Sequence, residues 1–164
     1  MIQKELDNYL QNYFPCFSQQ SQRKLFQTFI QGLLSPLERK SIEPIALHFY
    51  GEKYVRPMKQ FFSRSPFDEQ PLLDTYQELL ARQIGAGAGM LSVDDTSFVK
   101  KGKNFVGVKR QYCGRLGKME NCQSGVFLAY AGDKGYGLVD HELYIPQEWF
   151  CDEYAQLRKE CHIP

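Results

Sequence analysis

A pair of adjacent carboxylates beside a basic segment has the most evident chemistry in this sequence. Asp94 and Asp95 follow the apolar run 90–93, which predicts that they lie where a strand ends. Carboxylates in such a position can hold a divalent cation against phosphate oxygens. Because successive strand residues face opposite sides, only one of the two can point into a given site. The alternative is a polar strand exit without chemistry.

The segment after these acids is strongly basic. It carries seven cations and no acid between Val99 and Met119, namely Lys100, Lys101, Lys103, Lys109, Arg110, Arg115 and Lys118. The whole chain has a net charge of +1, so the remainder of the sequence is net acidic. A local excess of positive charge indicates contact with a polyanion, although charge alone equally allows a solvated basic hairpin.

Length and composition predict one globular domain, or a domain with a small appendage. The chain has 164 residues, of which 43% are hydrophobic and 24% charged. It contains no apolar run of the roughly 18 residues that a membrane span needs, and its start lacks the apolar core of a signal peptide. The five cysteines form no Cys-x-x-Cys pair, which argues against a disulfide framework or a zinc finger. A cytoplasmic protein without a membrane partner is expected.

The first half of the chain has helical periodicity. Apolar residues recur at three- and four-residue steps and predict helices over 2–13, 18–34, 41–51, 55–62 and 68–84. Ser18 and Ser41 are the expected N-caps of the second and third helices, and Gly51 the expected end of the third. These elements predict a helical amino-terminal module over residues 1–84.

A glycine-rich break at 85–89 separates this module from a half with strand periodicity. Strands are predicted over 90–96, 104–112, 124–130 and 136–145, with a turn at 133–135 that makes the last two a hairpin. Residues 147–161 are expected to be helical. The sequence therefore predicts an α+β fold, in which residues 89–164 form an antiparallel sheet that begins a larger α/β domain.

Several long motifs resemble insertion-sequence transposases of the 701 family. In the second half they are Val-Asp-Asp-Thr-Ser-Phe-Val-Lys-Lys-Gly-Lys at 93–103, Val-Gly-Val-Lys-Arg-Gln-Tyr-Cys-Gly at 106–114 and Gly-Lys-Met-Glu-Asn-Cys-Gln at 117–123. Residues 38–46 resemble the helical amino-terminal region of the same proteins, and residues 143–149 resemble their later strand and turn. The resemblance extends over essentially the whole chain from Glu38 onward.

The resemblance implies a ribonuclease H-like fold, α/β in the intact family, with an Asp-Asp-Glu triad. Such enzymes cut and transfer DNA strands at the ends of a mobile element, with triad carboxylates that hold Mg²⁺. We assign the first catalytic and metal-binding carboxylate to Asp94, because related transposases place Ser or Thr two residues later, as Thr96 is here. Asp95 is the alternative. The seven cations would then bind DNA phosphates without reading bases.

The second Asp and the Glu of the triad are expected in motifs downstream of the Glu148-Trp149 turn. The chain reaches Pro164 before either motif, and its remaining acids Asp140, Glu142, Asp152 and Glu153 lack the required context. The sequence thus predicts a truncated, catalytically incomplete form that binds Mg²⁺ weakly or not at all. Its expected partners are insertion-sequence ends, target DNA, and a second copy or a full-length transposase. The alternative is a non-catalytic DNA-binding or regulatory fragment, or a pseudogene product.

Overall fold

The computed structural model describes residues 2–65, 68–85, 87–102, 105–161 and 163. Within these residues, helices are followed by a four-stranded antiparallel sheet, which confirms the predicted α+β class. Two compact units, Met1–Tyr76 and Gln77–Pro164, are each held by their own internal contacts. The predicted limits 1–84 and 89–164 stay a prediction. None of the described helices is both long and apolar enough to cross a membrane.

Five helices precede the sheet, as the periodicity predicts. They are α1 (Ile2–Gln11), α2 (Gln20–Leu34), α3 (Ile42–Tyr50), α4 (Val55–Arg64) and α5 (Gln70–Ile84). Ser41 is the N-cap of α3, and Gly51 ends that helix with a φ of 78°. The predicted Ser18 cap of α2 is wrong, because Gln19 is the N-cap and its backbone N–H donates to Gln22 Oε1 at 3.1 Å.

The core of the first unit lies where α2, α3 and α4 meet. Ile45, Ala46 and Met58 have no exposed surface and are surrounded by apolar side chains that come mainly from α2 and α3. Gly32 on α2 makes this close packing possible, since a Cβ atom there would lie 2.4 Å from Ile45 Cγ2. A buried methyl group cannot be added at such a distance without displacing its neighbour.

The sheet is organised around one long central strand. Its strands are β1 (Gly89–Val99), β2 (Lys109–Cys113), β3 (Lys118–Gly132) and β4 (Gly135–Tyr144), and β3 pairs antiparallel with each of the others. Cys122 of β3 pairs with both Val99 and Lys109. A strand residue has one partner on each side, so β1 and β2 flank β3 on opposite sides.

Two strand predictions differ most from the structure in their limits. β3 begins at Lys118, six residues before its predicted start, because its polar first residues pair with β2. In the predicted strand 104–112, residues 105–108 form a turn and only the part from Lys109 is paired, while Asn104 lies outside the described residues. The predicted hairpin is confirmed as β3 and β4, joined at Asp133 and Lys134.

The segment after β4 is held in place by its tryptophan. It consists of two 3₁₀ helices, Gln147–Phe150 and Asp152–Tyr154, and the short helix α6 (Ala155–Glu160). Trp149 is 1% exposed, and its indole N–H donates to the Val108 carbonyl at 2.9 Å. The Arg158 guanidinium donates to the carbonyls of Trp149 and Cys151, which ties α6 to the same turn.

Candidate nucleic-acid interface and carboxylate site

The two candidate carboxylates lie in the middle of β1 and not at its end. Asp94 pairs with Phe127 and Asp95 with Val126, and the ladder continues to Val99. The expectation of a strand end was wrong because backbone pairing with β3 continues the strand through both acids to Val99. Both acids are exposed, and alternation places them on opposite faces of the sheet.

Asp94 has two structural neighbours of note. Its Oδ1 accepts a hydrogen bond from the Asp95 backbone N–H at 2.9 Å, so one oxygen is engaged with the strand. Across the ladder lies Phe127, whose ring stacks on the His141 imidazole with centroids 6.2 Å apart. The face around Asp94 is therefore built from an aromatic pair and one carboxylate.

The described residues do not fit a divalent metal site by themselves. Nowhere in that part of the chain do three His, Cys, Asp or Glu side chains converge as a metal site would require. Mg²⁺ prefers octahedral oxygen coordination, and each face of β1 offers it a single carboxylate from the Asp pair. Asp94 alone would bind Mg²⁺ weakly.

The basic connection between β1 and β2 crosses one face of β3. Since those strands flank β3 on opposite sides, the connection between them must pass over β3, and its described residues are 100–102 and 105–108. The Asn121 amide donates to the carbonyls of Lys100 and Gly102, both at 2.9 Å, and the Gln123 amide donates to the Val106 carbonyl at 2.6 Å. These amides identify the face that is crossed. By alternation along β3, it is also the face of Phe127 and hence of Asp94.

Gly107 allows this crossing segment to meet the end of β4. It is buried with a φ of 68°, and a Cβ atom there would lie 2.7 Å from the Tyr144 carbonyl oxygen. Only glycine tolerates both the left-handed backbone and the close approach. At the start of the same segment, the Lys100 ammonium lies 5.1 Å from the centre of the Phe105 ring.

Two of the predicted cations are paired with acids. Lys109 donates to Glu148, and this hydrogen bond holds the pKa of Glu148 below its usual value. Lys118 donates to Glu120 at 2.8 Å, which raises the pKa of Lys118 and lowers that of Glu120. Both acids lie outside the run of cations in the sequence. Fewer of these cations are therefore without an acidic partner than the composition of the run indicates.

Three of the other cations have no acidic partner in the described part of the chain. Lys101, Arg110 and Arg115 are exposed and form no ion pair with any residue in the described ranges. Lys103 lies outside the described residues. The segment thus keeps several cations available for an external anion.

Sequence reasoning missed the residues that position this segment. The sequence marks Asn121 and Gln123 only as parts of a family motif, yet their amides hold the crossing backbone. The signal that could have identified them is the alternation of polar side chains at 121 and 123, which places both on one face of a strand. Glu148, 39 residues from Lys109, carries no local signal of its pairing.

Comparison with known proteins identifies the family of the chain. The chain matches the family model described as DDE superfamily endonuclease over residues 12–164. It is 32% identical over 118 residues to the "Probable transposase for insertion sequence element IS701" of Microchaete diplosiphon, an alignment that covers 72% of this chain and 31% of that relative. The chain thus spans about a third of the relative's length. No solved structure matches it. The predicted resemblance to the 701 family is confirmed, and the chain belongs to the DDE superfamily endonucleases.

Proposed function

We propose that this chain takes part in DNA strand cleavage and strand transfer at insertion-sequence ends. The observation that carries the proposal is the arrangement in a DDE-family chain of an exposed carboxylate on β1 and a basic crossing segment on the same sheet face. A carboxylate that faces bound phosphate is one part of what metal-assisted phosphoryl transfer requires. DNA is accordingly the proposed substrate.

Asp94 is the proposed catalytic and metal-binding carboxylate, with Asp95 as the alternative. The choice is supported by the face that each acid occupies. Asp94 shares its face with the basic crossing segment, whereas Asp95 points to the opposite face, opposite Val126. The family's divalent cation is proposed to be Mg²⁺, with Asp94 as one ligand of a larger set.

The basic segment is proposed to hold the DNA backbone. Lys100, Lys101, Lys103, Arg110 and Arg115 would supply the main phosphate contacts. Lys109 and Lys118 would contribute less, because each already has a carboxylate partner. Such contacts position a duplex or a strand and carry no base sequence information.

A triple variant in which Gln replaces Lys100, Lys101 and Lys103 should show a weaker salt dependence of DNA binding. Each phosphate contact contributes about 0.9 to the slope of log K against log salt, so the slope should fall by roughly two to three. Fluorescence anisotropy with a labelled duplex, measured across a salt series, gives this slope.

Lys118→Gln is the matched control for that triple variant. Its ammonium is already bound to Glu120, so we expect a slope change well below the roughly 0.9 that a free phosphate contact gives. An unchanged slope and affinity in the triple variant would show that the segment is a solvated hairpin.

The purified chain is expected to show no Mg²⁺-dependent DNA cleavage. The physical reason is that Asp94 lacks converging carboxylates among the described residues. A supercoiled-plasmid nicking assay with Mg²⁺ tests this directly. Nicking that is lost in Asp94→Ala but kept in Asp95→Ala would contradict the expected inactivity and would identify Asp94 as the ligand.

The alternative function is a non-catalytic DNA-binding or interaction protein. It is favoured by the same observation, namely one candidate metal-ligating carboxylate next to a cationic surface. This alternative function predicts that the chain binds element ends in a salt-dependent way. It also predicts that the chain does not contribute to strand transfer when a full-length transposase is added. Restored transfer with such a partner would support the primary proposal, and a homo-oligomer or mixed oligomer would then be the active species.

A further inference from the structure

The β2–β3 hairpin presents an exposed aromatic ring that the fold does not use. Tyr112 on β2 is 62% exposed, and within the described residues its ring and hydroxyl have no aromatic or hydrogen-bonding partner. Met119, its cross-strand partner on β3, is 51% exposed. Cross-strand partners point to the same face, so the ring and the thioether form one continuous apolar surface.

This surface is bordered by positive charge. Arg110 lies two residues before Tyr112 on the same face of β2 and is exposed. The only acid of the hairpin, Glu120, pairs with Gln111 and therefore faces the other side, where it holds Lys118. One face of the hairpin therefore carries Tyr112 and the charge of Arg110, which is unpaired within the described residues. On the other face the charges of Glu120 and Lys118 neutralise each other.

The crossing segment adds cations to the same face. Its backbone is bound by Asn121 and Gln123, which alternate in phase with Met119 along β3. The backbone that carries Lys100 and Lys101 therefore lies over the face of Tyr112 and not over the opposite one. Asp94 lies farther along this face, opposite Phe127.

We propose that Tyr112, with Met119 and Arg110, is a stacking site for an unpaired nucleobase of single-stranded DNA. The tyrosine ring would stack on the base, and the Met119 thioether would contact the edge of the stacked base and ring. Arg110 would bind the adjoining phosphate. The inference rests on the proposed function and adds to it a preference for single strands near the reacting ends.

Charge complementarity selects this ligand over a protein partner. An apolar protein surface would gain nothing from Arg110 and the crossing lysines, whereas a nucleic acid strand offers a π-face and a phosphate at each step. Stacking on an aromatic side chain is tolerant of sequence, because every base has a π-face. The probe therefore needs no known end sequence.

The test compares a fluorescein-labelled oligothymidine of about 20 nucleotides, longer than typical single-strand site sizes, with a duplex of the same length. Tyr112→Ala in the full chain should weaken single-strand binding by about 5- to 150-fold and should change duplex binding much less. Tyr112→Phe keeps the ring and should retain most of the affinity. A 2-aminopurine in the strand should lose fluorescence on binding to the wild type and not to Tyr112→Ala.

Tyr136→Ala is the matched control, since Tyr136 is an 86% exposed tyrosine on β4. It should leave single-strand affinity unchanged. The proposal is overturned if Tyr112→Ala has no effect, if it weakens duplex binding equally, or if it changes only the oligomeric state by light scattering. The proposed function has its own test. It fails if the triple lysine variant leaves the slope of log K against log salt unaltered.

Discussion

Replacing Trp149 with alanine is expected to lower the free energy of unfolding of the second unit by about 3–5 kcal/mol. The indole is almost fully buried and stacks near Tyr154, with ring centroids 5.1 Å apart. Truncation would leave a cavity and would also remove the donor to the Val108 carbonyl. Urea unfolding followed by far-ultraviolet circular dichroism measures the loss.

Two further variants separate packing from hydrogen bonding at this position. Trp149→Phe keeps most of the apolar volume but loses the N–H, so a loss of about 1–3 kcal/mol is expected. Phe150→Ala removes the neighbouring ring, which is 50% exposed, and should change stability by less than about 1 kcal/mol. Equal effects of Trp149→Ala and Phe150→Ala would show that the indole does not anchor the segment.

Met58→Ala should destabilise the first unit by about 2–5 kcal/mol. Met58 is completely buried against Ile45 and Ala46, so the cavity would open at the junction of α2, α3 and α4. Thermal and urea unfolding of the full chain would both show the change. The volume-conserving Met58→Leu should cost less than about 1.5 kcal/mol.

The control for Met58 is Gln60, two residues later on α4. Its side chain is exposed, so Gln60→Ala should stay within about 0.5 kcal/mol of the wild type. A similar loss in Met58→Ala and Gln60→Ala would mean that burial of Met58 in the core does not account for the destabilisation, since alanine is the best helix former and neither change lowers helix propensity.

Local sequence signals predicted most elements but not the ends of the strands. The Ser41 start of α3 agrees with the N-cap preference for serine, although its side chain makes no capping hydrogen bond, and the Gly51 end follows from a positive φ that glycine allows. β3 was predicted too short because Lys118, Glu120 and Asn121 are polar. Their strand conformation comes from pairing with β2, which no local propensity encodes.

The candidate site was predictable in its composition and not in its geometry. The sequence identified Asp94, Asp95 and the run of cations. It could not show that β1 and β2 flank β3, and so it could not predict that the connection crosses the face of Asp94. The ion pair of Lys109 with Glu148 depends on that same topology.

The side chain of Ser124 has a consequence for how the sheet finds its alignment. Ser124 is only 6% exposed, and its hydroxyl lies 3.4 Å from Ser97 Oγ while accepting a hydrogen bond from the Gln111 amide at 2.9 Å. If β1 slid by two residues, Asp95 or Val99 would replace Ser97 opposite this hydroxyl. A buried charge or a lost hydrogen-bond partner would disfavour either misaligned ladder. The serine pair thus favours the native register of β1 against β3. Alternation of faces alone would allow a shift by two residues during folding, because such a shift keeps every side chain on its face.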